Sequence, residues 1–106
     1  MNKEIVYVAE LDQDVDDVIA VRYLHMQHAL KCVVLDPYPT SDIGLERLKS
    51  LEALKIPIRK TMPQNAPFVC VGGPLTIIAD YIKTHTIDTL VMTGGFVGCN
   101  IVTDVL

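Results

Sequence analysis

Five carboxylates fall within eight residues, Glu10-Leu11-Asp12-Gln13-Asp14-Val15-Asp16-Asp17, directly after the apolar run Ile5-Val6-Tyr7-Val8-Ala9. Like charges at this density repel one another, and a bound cation or polyhydroxylated ligand offsets the repulsion. Asp16 and Asp17 by themselves would complement the dipole of a helix start; five acids exceed that need. The apolar run reads as a buried strand and the segment from Asp16 as a helix. The acids then gather where open α/β sheets bind their ligands, at the carboxyl end of a strand and the amino end of a helix. Two other loops follow predicted strands, Gly72-Gly73-Pro74-Leu75-Thr76 and the stretch from Met92 through Gly94-Gly95 to Asn100. Parallel strands bring such loops to one edge, so the acids could meet a backbone carbonyl near Thr76 and the amide of Asn100. Carboxylates with a main-chain carbonyl make a hard oxygen site, suited to Ca²⁺ or Mg²⁺ and poorly suited to zinc.

The elements that must position these groups are legible as alternating runs. Residues 16 to about 30 carry Val18, Ile19, Val21, Leu24, Met26 and Leu30 without Gly or Pro, which predicts a helix. Lys31 to Leu35 reads as a second strand closed by a turn at Asp36-Pro37. Ile43, Leu48, Leu51 and Leu54 form a stripe on a helix that Ser41 or Thr40 could cap. Ile56-Pro57-Ile58 is a brief edge-like strand and Pro67 to Val71 another strand. Pro74 suits a first helical position, Thr76 to Lys83 is helical, and Thr89 to Met92 is the last clear strand. Strands alternating with helices through short connections predict a single α/β domain over 1–106, a Rossmann-like parallel sheet with helices on both faces. The glycine-rich stretch from Gly94 should lead into a further element or pair with a partner.

The formal net charge is −4, and residues 10–17 alone carry −5, so the remaining nine Lys and Arg face eight acids. The acidity is therefore local, and no basic stripe or aromatic platform speaks for nucleic acid. Cys32, Cys70 and Cys99 are odd in number and widely spaced, as reduced thiols of a cytoplasmic protein are. The amino terminus lacks a signal peptide's long apolar region. No stretch reaches the roughly 20 apolar residues of a membrane helix, so no membrane association is expected. His25 and His28 lie three apart on a predicted helix, a spacing that could share a metal and more often marks surface histidines.

Taken together the motifs resemble the amino-terminal part of the nucleoside hydrolases, the inosine-uridine-preferring N-ribohydrolase family. That family opens with D-x-D-x-G-x-D-D after its first strand, matched here by Glu10, Asp12, Asp14, Asp16 and Asp17. Its G-P-L-T-N stretch is matched by Gly73-Pro74-Leu75-Thr76 followed by Ile77. Its M-G-G with a later G-N is matched by Met92, Gly94-Gly95 and Asn100. The resemblance implies Ca²⁺ held by Asp12, Asp17 and the Thr76 carbonyl, Asp12 as general base, and Asp16 and Asn100 on the ribose. It implies a homo-oligomer acting on a nucleoside or other ribosyl ligand. Cleavage of an N-glycosidic bond passes through an oxocarbenium-like transition state that carboxylates stabilise, while a metal lowers the pKa of the attacking water.

Several positions depart from the pattern. Glu10 replaces the first Asp, Asp14 stands where the family has Gly, Ile77 where it has Asn, and Cys99 precedes Asn100 in place of Gly. The family's later ribose-binding, metal-binding and leaving-group residues have no counterpart before Leu106, so weak cation binding and poor turnover are expected of these 106 residues alone. Two other readings stand beside this one. In a haloacid-dehalogenase-like phosphohydrolase, Asp12 and Asp14 would be nucleophile and general acid, with Thr93 on the phosphate. In a shortened, non-catalytic relative, the domain would serve as an assembly or regulatory partner.

Overall fold

The computed structural model describes residues 4–13 and 15–92, and the backbone of 93 and 100–104. Its sheet has six strands in the order β3-β2-β1-β4-β5-β6. These are β1 (Ile5–Ala9), β2 (Leu30–Leu35), β3 (Ile58–Arg59), β4 (Phe68–Val71), β5 (Thr89–Thr93) and β6 (Asn100–Asp104), with helices α1 (Asp16–Met26), α2 (Asp42–Ala53) and α3 (Thr76–Tyr81) between them. The first five strands are mutually parallel. β6 runs antiparallel to β5, with Asn100 opposite Thr93.

β1 is central and apolar at every position because both of its faces are covered, as parallel sheets require. Val6 and Val8 pack with Val69, Val71, Ile78 and Tyr81 on the α3 side. Tyr7 and Ala9 pack with Val18, Val21, Leu48 and Leu51 on the side of α1 and α2. The α/β architecture with helices on both faces is thus as the alternating pattern predicts. Burial pushes the thiol of Cys70 up to about 11 and that of Cys32 upward as well, so both stay protonated at neutral pH.

The differences from expectation lie at element ends. The first helix stops at Met26 rather than near residue 30, because the chain turns through His28 at φ 58° and Leu30 already belongs to β2. Pro74 precedes the third helix instead of opening it; α3 begins at Thr76 and ends at Tyr81, short of Lys83. The last strand adds an antiparallel neighbour that the apolar pattern did not announce.

Both α1 and α2 end in the same way. The His28 and Ala29 amides turn back to the His25 and Leu24 carbonyls, and those of Lys55 and Ile56 to Glu52 and Leu51. His28 and Lys55 occupy the left-handed position, at φ 58° and 60°, where glycine is usual. An L-residue there is strained by about 1–2 kcal/mol, offset partly by glycine's greater freedom when unfolded. His28→Gly and Lys55→Gly are each expected to raise stability by up to about 1 kcal/mol; urea unfolding with unchanged or lowered midpoints would contradict this.

Candidate functional site

The carboxyl ends of β1, β2 and β4 are stitched together by main-chain bonds, Asp36 N–H to the Ala9 carbonyl (3.0 Å) and Gly72 N–H to the Val8 carbonyl (2.8 Å). Every predicted site residue within the described backbone belongs to a segment leaving this edge. Glu10 and Asp12 follow β1, Asp16 and Asp17 open α1, Thr76 opens α3 after β4, and Asn100 opens β6 opposite the last residue of β5. Asp14 lies outside the described residues, and so does the side chain of Asn100.

Asp17 is the one buried charged residue of the described core, 6% exposed. The Tyr7 hydroxyl donates to its Oδ1 at 3.1 Å and the Glu10 amide to its Oδ2 at 2.8 Å. A buried tyrosine needs a partner for its hydroxyl, which explains an aromatic in an otherwise aliphatic strand. Gly72 closes on the same carboxylate: a Cβ there would collide with Oδ1 and lie 2.6 and 2.8 Å from Cγ and Oδ2. Gly73 faces Glu10, with a would-be Cβ 3.1 Å from the Glu10 Cβ and 3.2 Å from the Asp36 carbonyl oxygen. The first two motifs read from the sequence therefore meet in space.

Asp12, half-buried, is held quite differently. Its Oδ1 accepts from the Ser41 hydroxyl (2.7 Å), the Ser41 amide (3.0 Å) and the Thr40 amide (3.1 Å). Its Oδ2 accepts from the Thr40 amide (3.1 Å) and, at 3.4 Å, from the Thr40 hydroxyl. The Ser41 hydroxyl, then the Ser41 amide, hold Asp12 below its ordinary 3.8, with partial desolvation opposing. Ser41 also caps α2, accepting the Gly44 amide at 3.0 Å, so the predicted cap doubles as the clamp on Asp12. Gly44 is required in the helix because a Cβ would collide with Asp12 Oδ1. Arg47 completes the loop, donating to the carbonyls of Leu11 (2.9 Å) and Gln13 (3.3 Å).

Thr40, Arg47, Tyr7 and the spacing glycines Gly44 and Gly72 are site residues that the sequence reading missed as such. A glycine in the first turn of a capped helix, costing stability in place of alanine, was the available signal for Gly44. The lowered Asp12 has a stability consequence. A carboxylate depressed in the folded state adds stability above its unfolded value and loses it as pH falls through the folded one. Acid unfolding is therefore expected to steepen below pH 3.8. In Ser41→Ala the Asp12 titration followed by NMR should move upward and the acid limb flatten; an unmoved Asp12 would refute the clamp.

Two features stand against a preassembled metal centre. The two predicted ligand carboxylates are held by different partners, Asp12 by the start of α2 and Asp17 by β1 and Gly72. Among the described residues no group of three or more His, Cys, Asp or Glu is placed to hold a metal. His25 and His28 share a cleft of about 120 Å³ with Lys31 and Lys55, cations that disfavour a metal there. One buried oxygen, Asp36 Oδ2 at the end of β2, has no hydrogen-bond partner. No helix among the described residues is long and apolar enough to cross a membrane. Comparison with protein-family models, with curated proteins and with solved structures finds no match for this chain.

Proposed function

We propose that the acidic edge of the sheet binds a divalent cation together with a ribosyl ligand, and that the chemistry it serves is nucleoside-hydrolase-like cleavage of an N-glycosidic bond. The observation that supports this reading is the meeting of the first two motifs at one sheet edge, where Gly72 closes on the buried Asp17 carboxylate and Gly73 on Glu10. The reading assigns Asp12, Asp17 and the Thr76 carbonyl to Ca²⁺, with Mg²⁺ as the second choice, and Asp16 and Asn100 to the ribose. The donor set fits a hard cation in kind, being anionic and all oxygen, and the unpartnered Asp36 Oδ2 nearby adds to it. Its number is small, so binding is weak. Bound Ca²⁺ would supply a water of lowered pKa and a hold on vicinal hydroxyls.

The chain's own residues do the rest. A fixed anion at Asp12 stabilises positive charge developing on the sugar. A carboxylate so well supplied with donors is a poor proton acceptor near neutrality, so any base role falls to Oδ2, whose contacts to Thr40 are the longer ones. Unpaired Cys32 and Cys70 support a cytoplasmic setting.

Calorimetry with Ca²⁺ should give a dissociation constant on the order of 10⁻⁴–10⁻³ M, lost in Asp17→Asn. Incubation of these 106 residues with inosine, uridine and a nitrophenyl riboside in excess Ca²⁺ should release free base slowly at most, and Asp12→Ala should abolish whatever release there is. Unchanged calcium affinity in Asp17→Asn would discard the metal assignment. Calcium binding without base release in any substrate would leave a non-catalytic relative.

A further inference from the structure

At the opposite edge of the sheet, where β2 and β3 begin, His25, His28, Lys31 and Lys55 line one cleft together with Leu30 and Pro57. The end of α1 brings His25 and His28, the end of α2 brings Lys55, and β2 brings Lys31. Every ionisable side chain in this lining is basic, and no carboxylate takes part in it. Among the described residues the ion pair formed is Lys83 with Asp80, so neither Lys31 nor Lys55 has a carboxylate partner. Lys31 donates to the Asn65 carbonyl at 2.7 Å, which leaves it further ammonium protons to give. Like charges gathered in this way repel one another.

The helix ends do not account for the cluster. α1 and α2 both terminate at this edge, and each helix end carries the equivalent of about half a negative charge. The two lysines exceed that sum before either histidine is protonated. The last carbonyls are also served already: those of Leu24 and His25 accept the Ala29 and His28 amides, and those of Leu51 and Glu52 accept the Ile56 and Lys55 amides. Nor does the backbone favour these side chains. Among the described residues, His28 and Lys55 are the two non-glycine residues with positive φ, and both line this cleft. Glycine would relax each turn. Two strained positions thus hold a basic side chain at one place, and strain of this kind is found at ligand clamps.

We propose that the cleft between the carboxyl ends of α1 and α2 is a phosphate-binding site, in which Lys31, Lys55, His25 and His28 surround one phosphoryl group. The volume sets the size of the ligand: about 120 Å³ is well under the roughly 300–1,000 Å³ of pockets that take whole organic molecules, and it suits a single compact ion. The donors set its kind. An ammonium is a point-charge donor to phosphate oxygens, and an imidazole presents an N–H in either protonation state. A phosphoryl group offers three strongly accepting oxygens and close to two negative charges at neutral pH, against two oxygens and one charge for a carboxylate. The helix ends oppose an anion, so the side chains supply all of the attraction and binding is sensitive to each of them. The site is remote from the acidic edge, and its phosphate takes no part in the chemistry proposed there.

Calorimetric titration of the chain with inorganic phosphate in calcium-free, low-salt buffer is expected to show saturable binding of one ion per chain. His28→Gly and Lys55→Gly should each weaken it by roughly tenfold or more, the loss of about one charged hydrogen bond. Both turns accept glycine without strain, so lost binding is separable from lost folding. Lys83→Gln removes an exposed cation elsewhere and should change nothing. In the wild type the imidazole proton signals of His25 and His28 should shift during the titration while those of His85 stay fixed. A second arm uses glycerol 3-phosphate: tighter binding of the ester assigns the site to the phosphate end of a small molecule, and equal or weaker binding assigns it to the free ion. Phosphate that does not bind saturably, binding that survives both glycine variants, or an equal loss in Lys83→Gln would each overturn the proposal.

Discussion

Asp17→Ala is expected to lower stability by about 2–4 kcal/mol, read as a shift of the urea midpoint with an unchanged slope. The substitution removes an acceptor shared by the buried Tyr7 hydroxyl and the Glu10 amide. Losing the acceptor costs about 1–3 kcal/mol for each buried donor it served. Opposing this is the relief of a charge buried to 6% exposure, which is why the total is smaller than two full penalties. Tyr7→Phe in the same background should then cost less than in the wild type, where it should cost about 1 kcal/mol. Equal costs in the two backgrounds would mean that the Tyr7–Asp17 bond contributes little.

Gly72→Ala is the second large effect, about 1–3 kcal/mol of destabilisation from overpacking. The added methyl would press on Oδ1, Cγ and Oδ2 of Asp17 at once, and the Gly72 amide is itself bonded to Val8 at 2.8 Å. The backbone can therefore yield only by breaking the junction of β1 and β4. In the Asp17→Ala background the clash disappears, so the double variant should be less destabilised than the sum by at least about 1 kcal/mol. Strict additivity would show that Gly72 and Asp17 are not in contact. Because this glycine belongs to one motif and the aspartate to another, the same cycle measures whether the two motifs form one site.

The alternation of aliphatic runs with amphipathic stretches was enough, in the sequence, to predict an α/β sheet with helices on both faces. The reason is that burial on two sides imposes an unbroken run such as Val6 to Ala9, whereas a helix imposes a repeat such as Leu48, Leu51 and Leu54. The acid cluster and its place at a strand end were legible in the same way, and so was Ser41 as a cap, since capping is set by residues within one turn. What depended on distant parts of the chain was not legible. That Ser41 also clamps Asp12, 29 residues away, follows from β1 and β2 being neighbours. That Tyr7 is a hydrogen-bond donor to the site, rather than simply a core residue, follows from α1 folding back over β1. The early stop of α1 at Met26 was decided by where β2 must begin to pair with Ile5, which helix propensity does not contain. Residue types set what chemistry each loop could offer. The tertiary structure decided that Asp12 and Asp17, five residues apart, are held by different elements, because a strand end and a helix start point their side chains along different directions.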